Sequence, residues 1–278
     1  MLNLATTYPN ISALITVLVQ AGVPAHESWW LLEKLFQQSR AALLSAGELT
    51  LSAAQLVQLQ HWLEQLIVAQ QPLQYLLGTV PFLNLELLVA PPTLIPRPET
   101  EAWCARLITE LPTTPQQILD FCTGTGCIGL AVAQARPASQ VQAVDIAPAA
   151  CALAEQNRQR LQLTNFTVHR SDLWQNVPTL AYDVLIANPP YITAAEYPAL
   201  APQVQRWEDA QALVAGVDGL TVLRPLIHGA AVRAIPKIYL EIGATQAAAV
   251  SQLLQAAGYQ TQVWQDQYGR DRVVVGRR

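Results

Sequence analysis

The chain has few charges and few basic clusters. Only 13% of its 278 residues are Asp, Glu, Lys or Arg, and the net charge is -4. No block of Lys and Arg occurs, which argues against a strong binder of nucleic-acid backbone. No Lys or Arg precedes Lys34, so a secretory n-region and an Arg-rich transit peptide are both excluded. The apolar run at 11–23 is too short to span a bilayer. Four cysteines are present, at 104, 122, 127 and 151, without a Cys-x-x-Cys pair and without His at metal-ligand spacing. They read as reduced thiols of a cytoplasmic protein, and no metal is expected. What the chain has in plenty is apolar residues, at 51%, which is enough for a large core.

Residues 1–70 carry apolar positions at helical spacing. Ile11, Leu14, Ile15, Leu18 and Val19 form one stripe, and Trp29, Trp30, Leu32 and Leu35 a second. A third helix is expected over 52–70, with Ser52 as its cap. This is a small helical bundle, with its tryptophans either in the core or on a face that docks a partner. Residues 71–98 are rich in Pro and β-formers and read as a hairpin or an extended connector. From Gln116 onward strands alternate with helices, which predicts a doubly wound α/β sheet with parallel crossovers. The strands are expected at 117–121, 140–145, around 166–170, at 182–187, around 237–243, and in two closing runs.

Between the first strand and its helix lies DFCTGTGCIG, residues 120–129. Gly124 to Gly129 fits Gly-x-Gly-x-x-Gly, a turn that lets backbone approach a ligand. Asp145 ends the next strand nineteen residues past Gly126, where a carboxylate accepts from a ribose diol. A nucleoside-bearing cofactor follows, either NAD or S-adenosylmethionine. The late position of the loop and a further acid, Asp172, placed to meet an adenine amine, favour S-adenosylmethionine. His169, at a strand end, reads as structural.

The fourth strand empties into LIANPPYI, residues 185–192. A loop could use Pro189 and Pro190 only to stop a strand. A planar amide or aromatic amine as methyl acceptor would use more of it. Its lone pair is delocalised, so it is a poor nucleophile and must be held by its N–H groups. Asn188 offers a side-chain carbonyl and Pro189 a backbone one. Pro190 adds no competing N–H, and the Tyr191 ring can stack on the acceptor.

The glycine loop, Asp145 and NPPY together resemble class I (Rossmann-like) methyltransferases acting on planar nitrogen. QPLQYLLG (71–78), LIPRPETE (94–101), ALVAGVDGL (212–220) and DQYGRDRVVVGR are similar to the HemK/PrmC family, the release factor glutamine methyltransferases. The resemblance implies a helical substrate-docking domain at 1–73, a β-hairpin connector at 74–95 and an S-adenosylmethionine-dependent domain at 96–278. It implies cofactor contacts at Cys122, Thr123, Gly124, Thr125, Gly126, Asp145, Asp172, Leu173 and Asn188. The catalytic group would comprise Asn188, Pro189 and Tyr191. Substrate contacts would add Pro190, with Arg97, Glu99 and Thr100 near the methionine end of the cofactor and the substrate glutamine. The partner implied is a peptide chain release factor, methylated on the glutamine of its Gly-Gly-Gln motif by a cytoplasmic monomer that contacts neither nucleic acid nor membrane.

Competing readings are a ribosomal-protein glutamine or nucleic-acid adenine methyltransferase sharing NPPY, a NAD-dependent oxidoreductase, and a non-catalytic adaptor. LIPRPETE favours the release-factor enzymes over the ribosomal-protein ones. Two departures from the family pattern stand out. Cys122 replaces the first loop glycine, and Asp209 follows Glu208 where many members have proline.

Overall fold

A computed structural model describes residues 4–278. The chain divides into two units. One comprises residues up to Gly78 together with Pro202–Trp207, and the other Thr79–Ala201 with Glu208–Arg278.

The first unit is helical. Helices α1 (Ile11–Gln20), α2 (Ala25–Phe36), α3 (Arg40–Ser45), α4 (Ala53–Leu63) and α5 (Leu73–Leu77) surround Leu14, Leu18, Leu31, Leu32, Leu43 and Leu59, all fully buried. Asn10 caps α1 and Ser52 caps α4, the latter with Gln55 returning its side chain to complete a capping box. A short antiparallel pair, β1 (Thr7–Tyr8) and β2 (Leu49–Thr50), closes one edge. The helix expected over 52–70 stops being α-helical at Leu63 and continues as a π-helical turn over Glu64–Val68. The tryptophans are not the centre of this core. Trp30 is exposed beside His26, and Trp29 is half-buried with the Arg40 guanidinium over its ring. Leucines fill the interior because their slimmer side chains interdigitate between short helices. The returning segment, α9 (Pro202–Trp207), donates the Trp207 indole N–H to the Ala69 carbonyl at 3.1 Å.

The second unit begins with the hairpin β3 (Thr79–Phe82) and β4 (Leu85–Leu88). The reading of 71–98 as a hairpin or extended connector holds from Thr79 onward and departs at α5, which precedes the hairpin; α6 (Pro98–Glu110) follows the connector. Proline suits the first position of α6, and Glu99 and Glu101 lie in its first turn, where the helix dipole favours acids.

A seven-stranded sheet follows. Its members are β5 (Gln117–Phe121), β6 (Gln140–Asp145), β7 (Phe166–Arg170), β8 (Val184–Ala187), β9 (Lys237–Glu241), β10 (Gln260–Gln265) and β11 (Asp271–Arg277). The order is β10-β11-β9-β8-β5-β6-β7, parallel except for β11, which is antiparallel to both neighbours. The doubly wound sheet with parallel crossovers is as expected, and its one antiparallel member is the last strand. A five-residue turn joins β10 to β11, and so short a link permits only an antiparallel pair. The helices α7 (Cys127–Ala135), α8 (Pro148–Arg160), α10 (Leu223–Val232) and α11 (Ala247–Ala256) make the crossovers. Strand β8 is buried at every position, as a central parallel strand should be. A core of aliphatic residues with Phe121, Tyr182 and Tyr259 fixes the sheet against its helices. The loops after β5, β6, β7, β8 and β9 therefore leave one edge of the sheet, where ligands bind in such folds. Among the described residues, no helix is long and apolar enough to cross a membrane.

Candidate active site

A cavity of about 350 Å³ opens at that edge. Of the residues predicted to bind cofactor, Cys122, Gly124, Asp145, Asp172, Leu173 and Asn188 line it, and Pro190 does so from the predicted substrate group. Thr123, Thr125 and Gly126 do not reach the wall. They build the turn behind it: Thr123 donates to the Asp120 carboxylate at 2.6 Å, and a Cβ on Gly126 would lie 2.8 Å from Leu130. Gly126 has φ +84°, so glycine is needed there for both backbone and space.

Cys122 has φ +55°, in the left-handed region that costs an L side chain roughly 1–2 kcal/mol. The substituted loop keeps a glycine-like backbone and bears that cost. Burial raises the Cys122 thiol well above its ordinary range, which keeps it protonated.

Asp145 is tied down on both oxygens. Gly124 N–H donates to Oδ2 and Ala147 N–H to Oδ1, each at 2.9 Å. Burial raises its pKa, and these backbone donors oppose that shift. Each oxygen retains acceptor capacity toward the cavity.

Asn188 sits at the end of β8, followed by the buried Pro189 and Pro190. Its Nδ2 donates to Thr100 Oγ1 at 3.3 Å. Thr100, buried in the first turn of α6, donates in turn to Glu241 Oε2 at 2.7 Å. The Tyr191 hydroxyl donates to Glu241 Oε1 at 3.4 Å, and burial, then the adjacent Glu241, pushes its pKa well above the ordinary tyrosine range. The Tyr191 carbonyl accepts from Gln246 Nε2 at 2.9 Å, close to Gly219, where any Cβ would strike that carbonyl at 2.2 Å. NPPY is thus clamped at its first and last residues.

Arg97 does not line the cavity. It pairs with the buried carboxylate of Glu208. Asp209 does line it, and its backbone N–H donates to the Pro92 carbonyl at 2.8 Å. Proline at 209 has no N–H for this bond, so the departure adds a tie between two stretches of cavity wall. Glu99 lies in the first turn of α6 but is not on the cavity wall. His169 meets Gln142 on the neighbouring strand at 2.8 Å, and burial lowers its basicity, as befits a structural residue.

Three residues were missed from the sequence. Asp120, beneath the glycine loop, is 1% exposed and accepts from Thr123 and from Gly129 N–H. Asn157 on α8 joins the Thr125 carbonyl, at 2.9 Å, to both backbone groups of Leu88 in the hairpin. Glu241 has been described. Asp120 adjoins the glycine loop in the sequence, which is a readable sign, whereas the other two depend on distant packing.

The strand order differs from the 3-2-1-4-5-6 order of dinucleotide-binding sheets by the antiparallel insertion of β11. Fold and site together define a Rossmann-like methyltransferase. Residues 102–205 match the model of the methyltransferase small domain, and residues 12–78 that of the PrmC N-terminal domain. The chain is 35% identical over 257 residues to the release factor glutamine methyltransferase of Salmonella typhimurium, covering 91% of this chain and 92% of that protein. It is 32% identical to the enzyme of the same name from Coxiella burnetii, over the full length of both. The chain belongs to the release factor glutamine methyltransferase family. Among solved structures, a methyltransferase from Pyrococcus furiosus superposes with TM-score 0.54 at 14% identity, over 81% of this chain and 98% of that one. The hMettl16 catalytic domain gives the same TM-score at 14% identity, over 81% and 82%. These two share the fold.

Proposed function

We propose that the chain methylates the side-chain amide nitrogen of the glutamine in the Gly-Gly-Gln motif of peptide chain release factors, with S-adenosylmethionine as donor. The reaction belongs to the cytoplasm, where release factors act. The observation that carries the reading is Asn188, set at a cavity edge by Thr100 and followed by two rigid prolines.

The cavity suits the donor. Asp145 presents two anchored oxygens to a diol, and Ile146 and Leu173 supply apolar wall beside Asp172 for a heterocycle. The Gly124 backbone lies open to the cavity, since a Cβ there would meet only Thr93 at 3.9 Å. When bound, S-adenosylmethionine supplies an electrophilic methyl group.

The chain's own work is positioning. The Asn188 and Pro189 carbonyls hold the two N–H groups of the acceptor amide, and the Tyr191 ring lies against its plane. Holding the nitrogen this way turns its weak lone pair in one direction, and orientation of that kind is worth up to roughly 7–11 kcal/mol. In this reading Arg97, which pairs with Glu208, and Glu99 contact the substrate outside the cavity wall. The helical unit, which bears exposed aliphatic side chains, docks the body of the release factor.

Mass spectrometry of a release factor peptide after reaction tests this. One added methyl on the motif glutamine is expected with the parent protein. Asn188→Ala should lose about 100–1,000-fold in turnover while still binding S-adenosylmethionine. Methylation of adenine in DNA or RNA, with none on release factor, would replace the reading.

A further inference from the structure

Glu241 ends β9 with 1% exposure, and none of its atoms enters an ion pair within 4 Å among the described residues. A buried carboxylate is costly unless donors surround it. Three neutral donors do so: Thr100 Oγ1 at 2.7 Å and Trp103 Nε1 at 2.6 Å on Oε2, and the Tyr191 hydroxyl at 3.4 Å on Oε1. Two of these residues belong to α6 and one to NPPY. Glu241 is not part of the cavity wall.

A threonine hydroxyl has one proton and two lone pairs. Glu241 Oε2 also accepts the Trp103 indole N–H, so it faces α6 as an acceptor and the Thr100 proton is committed to it. Thr100 Oγ1 is then purely an acceptor toward Asn188, 3.3 Å away. A carboxamide has a donor side and an acceptor side, and only its donor side can face such an oxygen. The Asn188 Oδ1 is consequently presented on the opposite side. Were the amide turned over, oxygen would oppose oxygen at Thr100, and an NH₂ group would confront the N–H of the methyl acceptor.

We propose that Glu241 is a positioning residue which, through the committed proton of Thr100, fixes the Asn188 carboxamide with its carbonyl toward the acceptor amide. The same carboxylate holds the Tyr191 hydroxyl, so one buried group sets both ends of NPPY. This inference rests on the reading of Asn188 as the holder of the acceptor nitrogen.

Glu241→Gln, Glu241→Met and Thr100→Val separate it from a plain structural role. The glutamine keeps one oxygen for Thr100 and Trp103 and turns its NH₂ toward Tyr191, whose hydroxyl can accept. Turnover should recover to within about tenfold of the parent, whereas Glu241→Met and Thr100→Val should each lose about a hundredfold, the scale of a small misplacement. The loss should fall on kcat, with KM for either substrate moving less than about threefold. A second readout needs no substrate. In protein labelled with nitrogen-15 asparagine, the Asn188 carboxamide signal, identified by its absence from Asn188→Ala, should be parental in Glu241→Gln and displaced in Thr100→Val. Thr100→Val preserves side-chain shape, so it carries the test if Glu241→Met fails to fold. An undisplaced Asn188 signal in Thr100→Val overturns the proposal, and so does an equal kcat loss in Glu241→Gln and Glu241→Met. If the parent leaves release factor unmethylated, the functional reading fails, and the Asn188 signal still decides the network.

Discussion

Gly124 donates its backbone N–H to Asp145 Oδ2 at 2.9 Å, which ties the glycine loop after β5 to the acid at the end of β6. The loop and the acid are therefore one device. Ala147 N–H occupies the other oxygen at the same distance. Asp145→Asn replaces one acceptor by an NH₂ that must face an N–H.

The first prediction follows from that opposition. An unpaired buried donor costs about 1–3 kcal/mol, part of which appears in the loop that shapes the cavity. Calorimetry with S-adenosylmethionine should show affinity for Asp145→Asn at least about tenfold weaker, since tenfold corresponds to about 1.4 kcal/mol. Affinity equal to the parent's would remove Asp145 from the ribose role.

Cys122 supplies the second. Its φ of +55° is one a glycine adopts without strain, and the left-handed conformation costs other residues about 1–2 kcal/mol. Glycine returns part of that through the entropy of its unfolded chain, roughly 0.5–1 kcal/mol. Cys122→Gly should therefore be neutral to about 1 kcal/mol more stable in urea unfolding. Cys122→Val, which adds β-branching at the same φ, should be clearly less stable. A strongly destabilised Cys122→Gly would show that the thiol's packing outweighs backbone strain.

What was legible in the sequence was local. QILDF, CIGLAVAQA and QVQAVD each carry an apolar run bounded by turn residues, and β5, α7 and β6 occupy those runs. The glycine loop and NPPY are contiguous, so their edge of the sheet followed once the strands were read as parallel. Helix α6 was hidden by the prolines around it. Its own signs were Pro98 at the first position, acids in the first turn and Trp103, Cys104 and Leu107 at helical spacing. Glu241 was illegible because its partners are remote: Trp103 lies 138 residues away and Thr100 141. Inside KIYLEIG it is one polar residue in an apolar strand, and only the packing of α6 against β9 gives it work.

Asp120 supplies the third prediction. Burial raises its carboxyl to about 7, against which the Thr123 and Gly129 donors act. A carboxyl whose folded value lies above its unfolded value holds its proton more tightly when folded. Its stabilising contribution is complete below the ordinary aspartate range near pH 4 and is lost as pH rises toward 7. One such group changes stability by about 1.4 kcal/mol per pH unit across that window. Asp120→Asn keeps an oxygen for Thr123 and Gly129 and cannot ionise. Urea unfolding at pH 5 and at pH 7.5 should show the parent losing more stability than Asp120→Asn between the two. Equal losses would mean that Asp120 does not titrate in this range.

The last prediction concerns the helical unit. One glutamine must be chosen among all those in the cell, and a short motif offers little surface for discrimination, so specificity has to draw on the rest of the partner. Residues 12–78 match the PrmC N-terminal domain and carry no chemistry of their own, yet Val57 and Val68 stand 66% and 74% exposed. Deleting the unit is a poor test, because Pro202–Trp207 belongs to it and would lose the Ala69 carbonyl that holds the Trp207 indole. Charging the surface leaves the interior intact, since neither valine lies in the leucine core. The double variant Val57→Glu/Val68→Glu should keep the parent's unfolding midpoint and its affinity for S-adenosylmethionine. Its kcat/KM for intact release factor should fall at least about tenfold, the effect of losing about 1.4 kcal/mol of contact. Slow methylation of a minimal Gly-Gly-Gln peptide should be unchanged, because the peptide reaches only the cavity. If intact release factor and peptide are methylated at the parent's rates, these valines are not part of a docking face. If both rates fall together in a folded variant, the unit supports the catalytic fold instead of gripping the partner.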